Sequence, residues 1–221
     1  MEALPIFVSV GSTATPQQEA FIRAVEDRLR SEGLVPCTVG RNMFSSDAPL
    51  RAVTELLDSA AGAVVVALER SFFPAGVEKR GGPSETVLID TRLATPWNQI
   101  EAAMAYSRGQ PLLVIVEAGL KSEGLLERGY DWFVQWVTPT PEALTSLEFN
   151  GVLASWKKKV EARAKGPRSR SSATVAGSPS IGDLTIGELI SGLRPGQLWS
   201  LLGAMAAMLA GAVALGAKLH F

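Results

Sequence analysis

Along the first two thirds of the chain, short apolar runs alternate with stretches in which apolar residues recur at helical spacing. The runs 6–10, 34–39, 63–68, Leu112–Glu117 and Phe133–Val137 read as strands; 63–68 is continuously apolar, as expected of a parallel strand covered on both faces. A first helix is capped at Thr15, has Pro16 at its first position, turns Phe21, Ala24, Val25 and Leu29 inward and stops at Gly33. A second, 50–59, starts from a cap at Asp47 and gathers Leu50, Val53, Leu56 and Leu57 on one side. A third is capped at Thr95 with Pro96 in its first turn, presents Ile100, Ala103 and Met104 as its apolar face, and ends at Gly109 and Pro111. A short helix over 119–127 and a last one over 141–164, covering the sheet with Leu144, Leu147, Val152, Leu153 and Trp156, complete the pattern. Such alternation implies an α/β fold, a doubly wound parallel sheet of about five strands, over residues 1–165.

Between the third strand and the third helix, 69–94, the pattern stops, and Gly76, Gly81, Gly82 and Pro83 break a polar stretch of both charges. A loop of this length is either a lid over a site or a solvated insertion. The last strong pattern is different in kind. Lys157, Lys158, Lys159, Arg163, Lys165, Arg168 and Arg170 lead into a Ser-rich linker, 166–180, with too few large apolar residues to fold. The basic run is either a solvated helix end or a contact with an anionic membrane surface.

Thr185 and Glu188 form a capping box, and Leu184 with Leu189 the matching staple, for an amphipathic interfacial helix over 181–194. From Leu198 to Ala217 no residue is charged, and about 20 such residues span a hydrocarbon core of roughly 30 Å. The segment 198–218 is therefore expected to be a transmembrane helix with Trp199 at its near interface, anchoring a cytoplasmic N-terminal domain by a single-pass C-terminal tail. Membrane contact is assigned to 181–219.

Composition narrows the chemistry. The balance of 21 basic against 22 acidic residues argues against a nucleic-acid partner. The single cysteine, Cys37, and the single histidine, His220, exclude a Cys/His zinc cluster and make a Ser-His-Asp or Cys-His enzyme an unsuitable reading. No GxxxxGK[ST] is present. What remains is carboxylates, hydroxyls and backbone, with no cofactor or metal called for, and Glu101 lies near the start of the helix that enters the fourth strand.

The first strand with its Ser9/Gly11/Ser12 loop, the strand 62–68, and Trp97-xxx-Glu101-xxx-Ala105 ahead of Gly109-Gln110-Pro111 resemble the Toll/interleukin-1 receptor-like and nucleoside 2-deoxyribosyltransferase-like superfamily. The resemblance covers residues 5–140. It implies a flavodoxin-like sheet that binds a nucleotide or nucleoside at its strand ends, with Glu101 as the catalytic carboxylate in N-glycosidic cleavage or transfer. Loss of a base builds positive charge at the anomeric carbon, which a carboxylate can stabilise or attack. In the same reading Ser9, Gly11, Ser12 and Asn98 contact the ligand, Arg41 meets a phosphate, and Trp97 either stacks on a base or packs. A nucleotide-handling domain joined to one transmembrane helix also resembles membrane-linked effectors of bacterial anti-phage defence.

Two functions follow. One is an enzyme, an N-glycosidase or ribosyl transferase acting on NAD or a related nucleotide; the other is a sensor that binds a nucleotide signal and assembles its tails to perturb the membrane. An anchor or adaptor is a blander third. Gly203, Ala207 and Gly211 lie four apart, a small-residue stripe that would let tails pack as homo-oligomers. If they do, crosslinking in membranes traps oligomers of the wild type and not of Gly203→Ile or Gly211→Ile; monomer alone in the wild type would contradict it.

Overall fold

The strand that begins at Gly62 has no exposed residue on either face, and the other parallel strands and four helices are arranged around it. The computed structural model describes residues 3–129 and 131–166. Among them are seven strands, β1 (Leu4–Val10), β2 (Leu34–Cys37), β3 (Gly62–Ala67), β4 (Ser71–Glu78), β5 (Thr86–Leu93), β6 (Leu112–Glu117) and β7 (Phe133–Val137). The helices are α1 (Pro16–Ser31), α2 (Pro49–Ser59), α3 (Pro96–Ser107) and α4 (Leu147–Lys165). Five strands form an all-parallel sheet in the order β2-β1-β3-β6-β7, the doubly wound arrangement expected from the alternating pattern.

Alternation along β3 decides which helices it meets. Val64 and Val66 pack with Phe21, Ile22, Val25 and Leu29 of α1 and with Phe149, Leu153, Trp156 and Val160 of α4. Ala63, Val65 and Ala67 pack with Val53, Leu56 and Leu57 of α2 and with Ala102 and Ala105 of α3. Each fully buried branched or aromatic side chain contributes roughly 1.5–3 kcal/mol, so the two cores hold the helices in place through apolar burial.

Local chemistry sets the boundaries. Thr15 caps α1 by accepting the Gln18 N–H at 3.1 Å, and the Gln18 side chain reaches back to the Ala14 N–H at 2.7 Å. The amide of Gln18 also donates to the Glu69 carbonyl at 3.0 Å, tying the start of α1 to the chain just beyond β3. β2 ends at Cys37 rather than at 39, because the Thr38 N–H turns to the Asn42 side chain at 2.7 Å and its carbonyl accepts from the loop.

Several expectations are corrected. Asp47 does not cap α2: Pro49 takes the first helical position, which puts Ala48 at the cap, while the Asp47 carboxylate accepts from the Ser45 hydroxyl. The buried face of α3 is Asn98, Ala102 and Ala105, with Ile100 and Ala103 exposed, because two alanines let the helix lie close against the sheet. The stretch 119–127 holds only a 3-10 turn, Gly124–Leu126. The expected helix over 141–164 is a 3-10 turn, Pro141–Thr145, then α4; Ser146 separates them by accepting the Phe149 N–H, and Leu147 is 91% exposed.

The largest correction concerns 69–94. It is an antiparallel ribbon, β4 paired with β5 from Ser71↔Leu93 to Glu78↔Thr86, closed by a turn with Gly81 at φ 77°. Lys121 ties it to the domain, its ammonium 2.8 Å from the Glu78 carboxylate and its N–H donating to the Arg92 carbonyl.

The rest of the expected linker 166–180 beyond Gly166, the expected interfacial helix over 181–194 and the expected transmembrane helix over 198–218 fall on residues outside the described ones. Among the described residues no helix is long and apolar enough to cross a membrane.

Gly62 offers a direct check of the α4 contact. A Cβ there would come within 2.7 Å of Val160 Cγ2, 3.2 Å of the Pro111 carbonyl and 3.3 Å of the Trp156 ring. Since Trp156 Nε1 donates to that carbonyl, the neighbours cannot withdraw without losing a bond. Gly62→Ala should lower unfolding stability by about 1–3 kcal/mol in a urea titration.

Candidate functional site

In this strand order the chain leaves β1 for β2 on one side and reaches β3 on the other, so a crevice opens at the carboxyl ends of β1 and β3. The β1 alternation that buries Phe7 against α2 also turns Ser9 toward α3, where it is 1% exposed. Thr95 caps α3 as expected, accepting the Trp97 N–H, and Pro96 sits at the first position. The next residue to face inward is Asn98, and three positions on is Glu101.

These three polar side chains gather under α3, two of them hydrogen-bonded. Asn98 Nδ2 donates to Ser9 Oγ at 3.0 Å and to the Val66 carbonyl at 3.4 Å. The Ser9 hydroxyl also lies near enough to the Glu101 carboxyl to favour its charged form. Burial pushes the Glu101 carboxyl above the usual glutamate range, and the Ser9 hydroxyl partly opposes this. Asn98 Oδ1 is buried with no partner, an acceptor left without a donor.

The mouth of the crevice is tightly closed. Gly11 lies so near α3 that a Cβ on it would stand 2.9 Å from Thr95 Cγ2. Ser12 accepts from Arg70 Nη1 at 2.9 Å. Between Gly11, Ser12, Glu69, Arg70, Thr95 and Asn98 remains a cavity of about 10 Å³, room for a single water at most. A wider open hollow, about 600 Å³, lies beyond β6 and β7 beside Gly119, Arg128 and Trp136. Among the described residues no group of three or more His, Cys, Asp or Glu is placed to hold a metal ion.

Of the residues expected at the site, the structure joins Ser9 and Asn98 by a hydrogen bond, sets Glu101 beside them and places Gly11 and Ser12 at the mouth. Trp97, on α3, is 43% exposed. Arg41 is not brought to the network. Its guanidinium forms a two-pronged pair with Glu19, both contacts 3.0 Å, and a third with Glu26 at 3.2 Å. That pairing, with bonds from Thr13 and Arg23, holds Glu19 down at about 2.

Sequence reasoning missed Glu69, Arg70 and Glu117. Glu117 Oε2 accepts the Glu69 N–H at 2.8 Å, joining the ends of β3 and β6, and the Glu69 carboxylate pairs with Arg92 at 3.4 Å. The signal was available, since all three stand at the end of an apolar run, where a parallel strand delivers its residues to the crevice.

No protein-family model matches the chain, and no curated protein matches it. Among solved structures it is similar to the CMP N-glycosidase BcmB of Clostridium botulinum, with 12% identity and a TM-score of 0.43, covering 66% of this chain and 98% of that one. It is also similar to the Flv1 flavodiiron core of Synechocystis sp. PCC6803, with 12% identity, a TM-score of 0.40, and 71% and 37% of the two chains covered. TIR domains of the activated Roq1 resistosome match at 12% identity and a TM-score of 0.34, over 73% of this chain and 84% of that one. These likenesses are loose, and the chemistry of the site rests on its own residues.

The Glu101 carboxyl gives a pH test. Its native value is raised, so the native state binds the proton more tightly, and stability falls as pH rises from the ordinary glutamate value through the raised one. Glu101→Gln should therefore gain in melting temperature over the wild type at neutral pH, with the gain shrinking to nothing below about pH 4. A gain independent of pH would contradict it.

Proposed function

We propose that the crevice between β1 and β3 takes a nucleotide and that Glu101 acts on its N-glycosidic bond. The observation that carries this reading is the half-buried Glu101 carboxyl beside the hydrogen-bonded Ser9 and Asn98, at the point where the strand order reverses. A carboxyl partly shielded from water is a stronger nucleophile once ionised and a usable acid while protonated. As the C1′–N bond breaks, its electron pair leaves with the base and positive charge gathers at C1′. The Glu101 carboxylate stabilises that charge or bonds to C1′; water then supplies the hydroxyl at C1′, and its proton is released.

Asn98 and Ser9 fix the carboxyl in place, and Trp97 offers an exposed indole for the base. The substrate class is NAD or a related nucleotide, in keeping with the superfamily resemblance of the sequence. We read the charge-free segment 198–217 as the tether that holds this domain at a membrane, with its small-residue stripe bringing copies together, as in an anti-phage effector.

A second reading is favoured by the closed mouth. With about 10 Å³ of space, ligand must displace the Gly11–Ser12 loop or the base of the ribbon, and such a displacement is what a nucleotide sensor would pass to its tails. Incubating the full-length protein in membranes with NAD, nucleoside monophosphates and deoxynucleosides separates the two. Release of free base, reduced at least about 100-fold by Glu101→Gln, is expected of the enzyme. No release, or equal release by the variant, would overturn it in favour of the sensor.

A further inference from the structure

Arg70 stands just past the end of β3, where its N–H donates to the Leu93 carbonyl at 2.8 Å and fixes its backbone to the base of the ribbon. Its side chain is exposed and reaches across the mouth of the crevice to Ser12 Oγ at 2.9 Å. It has no carboxylate partner among the described residues, whereas Arg41 is held by Glu19 and Glu26, Arg92 by Glu69 and Arg108 by Asp58. Glu69, next to it in sequence and on the same cavity, does not neutralise it. The Glu69 carboxylate is given to Arg92, and Glu117 to the Glu69 N–H.

A guanidinium held only by a neutral hydroxyl keeps its charge and most of its five donors for an anion, and it suits a phosphate by geometry. Two further features converge on the same cavity. The start of α3 at Thr95 brings positive helix-end potential to it, and the orphaned Asn98 Oδ1 asks for a donor. An anion for Arg70 together with a hydroxyl for Asn98 describes a sugar phosphate.

We infer that Arg70 is the phosphate-recognising residue of this site, released from Ser12 when ligand enters, so that the crevice selects phosphorylated nucleosides over free ones. This deepens the nucleotide reading above and rests on it. Unlike Arg41, which the sequence put forward for this role, Arg70 sits at the mouth of the crevice with its charge unspent.

Titration calorimetry of the full-length protein in detergent micelles, with AMP and adenosine as probes, tests it. Arg70→Ala should weaken AMP binding about 10- to 100-fold while leaving adenosine unchanged, and Arg70→Lys should recover part of the loss. Arg80→Ala, at the exposed tip of the ribbon, should change neither. Equal weakening of both probes by Arg70→Ala, or no weakening of AMP, would overturn the inference. If the wild type binds AMP through Arg70 yet releases no base from any nucleotide, the glycosidase reading fails and Arg70 stands. If it binds neither probe, both fall.

Discussion

The close seating of α3 on β1 and β3 is the constraint on which the site depends. Ala102 and Ala105 carry no bulk beyond a methyl, so the helix lies low enough on the sheet to press Asn98 against Ser9 and the Val66 carbonyl. The same approach shields the Glu101 carboxyl from part of the water around it, and a carboxyl so shielded either pairs with a donor or holds its proton more tightly. Ser9 supplies one donor, which leaves the group raised but still ionisable. Larger residues on the inner face of α3 would lift the helix and return Glu101 to solvent.

Around this seat several other charges serve structure. Arg41 locks the loop after β2 to α1 through Glu19 and Glu26, and Lys157 joins α4 to Glu32 at the end of α1 at 2.9 Å. Glu69, Arg92, Lys121 and Glu78 fasten the ribbon to the sheet. Arg70 stands apart because its partner is a hydroxyl, so the mouth of the crevice is shut by a contact that an anion can displace.

Much of this was legible in the sequence. The five parallel strands and the caps at Thr15 and Thr95 depend on local patterns, apolar runs and proline at the first turn, whereas the candidacy of Ser9, Asn98 and Glu101 came with the superfamily resemblance. The ribbon was not, since Pro74, Gly76 and Asp90 interrupt its alternation and its apolar residues Phe73, Val77, Val87 and Ile89 stay largely exposed rather than marking a core. The face of α3 was misread because large side chains attract attention, while the contact is made by alanines. Arg41 and Arg70 show the same limit for charge: both follow strands and look alike in sequence, and only the tertiary position of Glu19 and Glu26 decides which one is spent.

A crystal structure of the Glu101→Gln protein with a nucleoside monophosphate tests the central claim most directly. The account predicts the sugar in the crevice between β1 and β3, with its anomeric carbon about 3–3.5 Å from the side chain at position 101 and a sugar hydroxyl on Asn98 Oδ1. A nucleotide seated instead in the hollow beside Gly119, Arg128 and Trp136, with the network under α3 undisturbed, would contradict it.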